Sequence, residues 1–126
     1  SIILVFPKVT IANKTKQMYG KISPDHYTDG TVTDRLIHNL QNELIVDSDM
    51  FNVFETVAFE TFDGLHALKT SVENRTGLSL HLCGSGPAMF AIDKPTSRYT
   101  EVTEICSFYE AETKLVHAII PSQTYY

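Results

Sequence analysis

The chain has 126 residues, 43% of them hydrophobic and 20% charged, with a formal net charge of -5. That length suits one domain with enough apolar material to build a core without disulfide staples. The acidic balance argues against general nucleic-acid or membrane-surface binding, and no run nears the ~18 consecutive apolar residues of a membrane span.

Ser1 to Phe6 carries no basic n-region, and its apolar run is too short for a signal peptide. The chain opens without methionine and enters a buried-strand pattern at once, which predicts a domain of a longer protein. Cys83 and Cys106 form no CxxC pair, so reduced thiols and a cytoplasmic setting are expected.

Ile2 to Phe6 and then Val9-Thr10-Ile11 read as a strand bent at Pro7. A short helix is expected over Thr15 to Lys21, with Met18 and Tyr19 facing the core. Ser23 to Gly30 is rich in turn residues. Thr33 offers a helix N-cap, and Leu36, Ile37, Leu40 and Leu44 then share one helical face.

A second helical region follows Asp47-Ser48-Asp49, with Phe51, Phe54, Val57, Ala58, Phe62, Leu65, Leu68 and Val72 recurring every three or four residues. Asp63-Gly64 marks a break in it, since glycine costs about 1 kcal/mol against alanine inside a helix. Gly77 supplies its left-handed C-terminal cap.

Leu78, Leu80 and Leu82 alternate with Ser79, His81 and Cys83. Beyond Gly84-Ser85-Gly86-Pro87, Ala88, Phe90 and Ile92 alternate with Met89, Ala91 and Asp93. Period two on both sides of a short glycine connection predicts a hairpin. Pro95-Thr96-Ser97 opens a helix carrying Tyr99, Val102, Ile105, Cys106 and Tyr109 on one face. A last strand is expected from Leu115 to Ile120, with a loosely held tail after Pro121. The order strand, helices, two strands, helix, strand predicts an α+β ferredoxin-like sandwich, one four-stranded antiparallel sheet with helices on one face.

The glycine turn carries the clearest chemistry. Glycine lets successive N–H groups converge on an anion, and Ser85 adds a hydroxyl, whereas Pro87 ends the donor series. The stretch is neither a Walker A loop nor a dinucleotide fingerprint, and by local chemistry a plain turn is the commoner meaning. Lys8, Lys14, Lys16 and Lys21 precede the first acidic residue, a basic opening that suits either a polyanion or a solvated edge. Tyr19, Tyr27 and Tyr99 could stack on a base, with burial the default for Tyr19 and Tyr99. His81, Cys83 and His117 lack zinc-site spacing, and no metal site is expected. The triphosphate cradle, Mg²⁺ ligand and nucleophile-orienting group of a phosphoryl-transfer enzyme are all missing, so no catalytic residue is expected in this chain.

Leu82-Cys83-Gly84-Ser85-Gly86-Pro87-Ala88-Met89-Phe90-Ala91 resembles the third motif of the GHMP kinases, the family of galactokinase, homoserine kinase, mevalonate kinase and phosphomevalonate kinase. Phe6-Pro7-Lys8-Val9-Thr10-Ile11 followed by Thr15-Lys16-Gln17-Met18-Tyr19 resembles the family's strand-Pro-strand segment and Thr-Lys-x-x-Tyr helix start. Asn52-Val53-Phe54-Glu55 to Phe62 is similar to its Asn-x-Phe-Glu helix. Asn13 and Lys14 lengthen the approach to Thr15 by two residues relative to that pattern.

The resemblance is greatest to a member acting in isoprenoid biosynthesis, and it covers the C-terminal half of such a kinase. It implies that residues 1–126 are a GHMP C-terminal domain, with the N-terminal ATP-binding and catalytic domain outside the chain. Gly84, Ser85 and Gly86 would then shape a phosphate pocket between the two domains, and Thr15 would touch the substrate. The parent would use ATP and Mg²⁺ to phosphorylate a small-molecule alcohol, while this domain alone would bind neither and be inactive. Another GHMP substrate, homoserine or phosphomevalonate, and a stand-alone ferredoxin-like ligand-binding module are the alternatives. Nothing in the sequence specifies an oligomeric state.

Overall fold

The computed structural model describes residues 1–9 and 13–119. Ile2–Phe6 forms β1, His81–Leu82 β2, Met89–Ile92 β3 and Glu112–Val116 β4, in the spatial order β2-β3-β1-β4 with every neighbouring pair antiparallel. That order, with the crossovers running over one face, is the ferredoxin-like arrangement expected from the element sequence.

Register explains which face is covered. Ile3 pairs with Ala91 and Val5 with Met89, and all four are buried. The alternate set, Ile2, Leu4, Phe90 and Ile92, is only half-buried on the opposite face. Period-two side chains allow no other division once one face is packed.

Five helices lie in the crossovers: α1 Lys14–Gly20, α2 Thr31–Gln41, α3 Glu55–Thr61, α4 Leu65–Thr76 and α5 Tyr99–Phe108. Single turns of 3₁₀ helix occupy Pro24–His26 and Asp47–Asp49. The core joins Met18 of α1, Val57 and Ala58 of α3, Leu65, Leu68 and Val72 of α4, and Val102, Ile105 and Cys106 of α5 to the sheet. α3 and α4 are separated at Gly64, whose left-handed backbone (φ 78°) starts α4, and Gly77 (φ 74°) ends it, as the sequence suggested.

Four readings need correction. α2 begins at Thr31, not after Thr33, because Gly30 takes a left-handed backbone and Asp29 accepts the Thr31 N–H at 2.9 Å. Its apolar stripe is not core: Ile37 and Leu40 are about half exposed, α2 buries no residue, and Leu44, also half exposed, lies beyond the helix end at Gln41. Phe51 lies outside any helix and is 53% exposed. β4 starts at Glu112 and ends at Val116, because pairing with β1 sets its limits, Phe6 opposite Glu112 and Ile2 opposite Val116. The expected strand residues Thr10, Ile11 and Ile120, and the tail, lie outside the described residues.

No helix among the described residues is long and apolar enough to cross a membrane.

Candidate functional site

The glycine turn is a six-residue connection between β2 and β3. The Cys83 N–H donates to Ala88 O at 2.8 Å and the Gly86 N–H to Cys83 O at 2.9 Å, closing a tight turn over Cys83–Gly86. Gly84 and Gly86 are both left-handed, with φ 52° and 77°, and the Gly86–Pro87 peptide is cis. Gly86 is buried. A Cβ there would stand 2.7 Å from Leu82 Cδ1 and 3.3 Å from Phe62 Cε2, whereas a Cβ on Gly84 meets nothing within 4 Å.

These bonds decide which N–H groups a ligand could use. The Gly86 N–H is consumed inside the turn, so it does not join an anion nest. The Gly84 and Ser85 N–H groups donate to no described residue. Gly84 is exposed and Ser85 partly so. The three residues named from sequence therefore divide: Gly84 and Ser85 offer donors, and Gly86 supplies the close packing that shapes them.

Asn52 holds the turn from the side. Its Nδ2 donates to Leu82 O at 3.0 Å and to Gly84 O at 2.7 Å, and its Oδ1 accepts the Phe54 N–H at 2.9 Å. β2 is an edge strand, and a second side chain covers that edge, Glu73 Oε2 accepting the Leu80 N–H at 2.9 Å. The resemblance put Asn52 at the head of an Asn-x-Phe-Glu helix, whereas α3 begins at Glu55. Nothing in the sequence tied it to carbonyls some thirty residues away.

The residues flanking Asn52 help to wall a cleft of about 450 Å³ whose lining includes Tyr19, Tyr27, Phe51 and Phe54. Tyr19 is 64% exposed, not core-facing as expected. Its ring meets Phe54 edge-on, with centroids 4.9 Å apart at 86°. Met18 takes the buried position instead, and neighbouring residues on a helix point about 100° apart, so only one of the pair can enter the core. Tyr99 is half-buried on α5, with its hydroxyl 3.4 Å from Thr113 O. Thr15 is exposed on α1, four residues before Tyr19 and hence on the same face one turn away. It is not part of the cleft wall, and among the described residues no hydrogen bond joins it to the glycine turn.

The lysines of the basic opening remain at the surface. Lys21 Nζ donates to Thr61 Oγ1 at 2.8 Å, and Lys8 and Lys16 are exposed. His81 and His117 have separate partners, Asp47 Oδ1 at 2.7 Å and Ser1 Oγ at 2.8 Å. Among the described residues no group of three His, Cys, Asp or Glu side chains could hold a metal ion.

No family model matches the chain. Curated relatives do. Two strains of Dehalococcoides mccartyi have proteins named 4-diphosphocytidyl-2-C-methyl-D-erythritol kinase that are 32% identical over 98 residues, 75% of this chain and 34% of theirs. A protein of the same name from Alkaliphilus oremlandii is 27% identical over 117 residues, 91% of this chain and 39% of its own length. The chain is a relative of the 4-diphosphocytidyl-2-C-methyl-D-erythritol kinases. It spans about a third of the length of these curated kinases.

Proposed function

We propose that residues 1–126 are the C-terminal domain of a GHMP-type kinase, most like 4-diphosphocytidyl-2-C-methyl-D-erythritol kinase, acting in the cytoplasm. The N-terminal domain, outside this chain, binds ATP and carries the catalytic groups. The parent moves the γ-phosphoryl of ATP to a substrate hydroxyl: a new O–P bond forms, the bond to the ADP oxygen breaks, and the hydroxyl proton leaves to a base. Mg²⁺ neutralises phosphate charge in such transfers. In this proposal its ligands belong to the N-terminal domain, and no step here depends on it.

The contribution of this chain is positioning, which together with electrostatic stabilisation supplies most of the rate in phosphoryl transfer. The aromatic cleft accepts the planar ring of a cytidyl substrate, and the Gly84 and Ser85 N–H groups face its phosphates. Gly86 keeps the turn tight, and Thr15, one turn from Tyr19, contacts the substrate beside the ring. The observation that carries this reading is the pairing of two uncommitted turn N–H groups with an exposed aromatic cleft, in a chain whose relatives are named as cytidyl-substrate kinases.

Two assays test it. The isolated chain should release no ADP from ATP. The same chain, exchanged for the matching third of a Dehalococcoides mccartyi kinase, should support phosphorylation of the cytidyl substrate. Tyr19→Ala in that chimera should raise KM for the cytidyl substrate by about 10-fold or more, one lost base–aromatic stack being worth about 1–3 kcal/mol. Turnover by the isolated chain, or a folded chimera indifferent to Tyr19, would refute the assignment.

A further inference from the structure

We propose that Asn52 is a positioning residue that couples the aromatic cleft to the glycine turn, so that a ring seated in the cleft sets the aim of the turn's N–H donors. The proposal rests on the reading of cleft and turn given above.

The coupling follows from amide bookkeeping. Both Nδ2 protons of Asn52 are spent on carbonyls at the end of β2 and in the turn, Leu82 O and Gly84 O, and Oδ1 is spent on the Phe54 N–H. Backbone bonds reinforce the same corner, since Asn52 O accepts the Glu55 N–H at 3.0 Å. Phe51, Val53 and Phe54, the residues around Asn52, are cleft walls. A ligand that moves those walls moves the amide that grips the turn.

The grip has a direction. In a trans peptide the C=O and the following N–H point opposite ways. Holding Leu82 O toward Asn52 therefore turns the Cys83 N–H away from it, and that N–H meets Ala88 O. By the same rule, holding Gly84 O toward Asn52 turns the Ser85 N–H away from Asn52, and it has no described partner there. The other contact between the turn and the helices, Phe62 against the Gly86 position, is apolar and fixes packing without aiming a donor.

Only asparagine meets all three demands. Aspartate would set carboxylate oxygens against two carbonyls, and alanine leaves both carbonyls without a side-chain donor. Glutamine is one methylene too long to hold the Phe54 N–H two residues ahead.

The test uses cytidine, a nucleoside with no phosphate to reach the turn by itself, titrated into the 126-residue chain and followed by amide resonances. In the wild type, signals of Tyr19 and Phe54 should shift, and those of Gly84 and Ser85 should shift with the same saturation curve. In Asn52→Ala, the Tyr19 and Phe54 shifts should persist while those at Gly84 and Ser85 vanish, with the core methyl signals of Ile3 and Val5 checking the fold. Wild-type shifts confined to the cleft would overturn the coupling and leave the functional reading standing. Persistence of the turn shifts in Asn52→Ala would overturn it too, and silence at Tyr19 and Phe54 would overturn both. The wild-type arm decides even if the variant fails to fold.

Discussion

Gly84 and Gly86 look equivalent in sequence, yet their surroundings predict different costs. Alanine at Gly84 meets open space and suffers only the left-handed backbone, about 1–2 kcal/mol. Alanine at Gly86 adds a clash with Leu82 and Phe62, and overpacking of that kind adds about 1–3 kcal/mol. Urea unfolding should therefore rank Gly86→Ala well below Gly84→Ala, and equal stabilities would show that the turn packs differently. The cysteines differ in the same way. Burial pushes the Cys106 thiol up to about 11, and raises that of the partly exposed Cys83 as well. For Cys106 the folded value exceeds the unfolded one, so its contribution to stability is whole below the ordinary thiol value and lost as pH rises toward 11. Alkylation at neutral pH should label Cys83 first, with Cys106 reacting only after denaturation; simultaneous labelling would contradict its burial.

Helix α2 shows how sequence periodicity can mislead. Its stripe of Leu36, Ile37 and Leu40 is amphipathic, but periodicity reports that one face is apolar, not what covers it. α2 is instead attached through the buried carboxylate of Asp49, which accepts hydrogen bonds from Arg35 Nε and Asn39 Nδ2. The bond from Arg35, and then that from Asn39, holds the Asp49 carboxyl below its ordinary value. A depressed folded value means this stabilisation is present above the ordinary carboxylate range and lost as pH falls through the folded value. Amide exchange in α2 should accelerate in acid before that in α4, and Asp49→Asn should make it fast at neutral pH as well. Unchanged protection of α2 in that variant would show that something else secures it. The elements marked by glycine were legible from sequence, because the need for a left-handed backbone is local: the break at Gly64, the cap at Gly77 and the hairpin. Tyr19, Phe51 and the Asn52 clamp were not, since each depends on which of several apolar neighbours the tertiary core selects.

The whole molecule joins a ferredoxin-like sheet to a glycine turn gripped by the Asn52 amide and to an aromatic cleft walled in part by the residues on either side of Asn52. The topology could be read from element order, because four strands with one long helical crossover and one short one leave few unknotted solutions. The candidate site was half legible. The turn carries its own signature in Gly84-Ser85-Gly86-Pro87, whereas the cleft is assembled from α1, the loop after it and the approach to α3, distant in sequence. The matched stretch is 34 to 39% of the length of these relatives, and under the proposed function this chain presents a binding wall while the catalytic groups lie elsewhere. Titration of the chain with cytidine diphosphate, followed at backbone amides, tests that division of labour most directly. Saturable shifts at Tyr19, Phe54, Gly84 and Ser85 with one common dissociation constant are the expected result. Binding that leaves these four residues unmoved, or no binding up to the solubility limit, would contradict it.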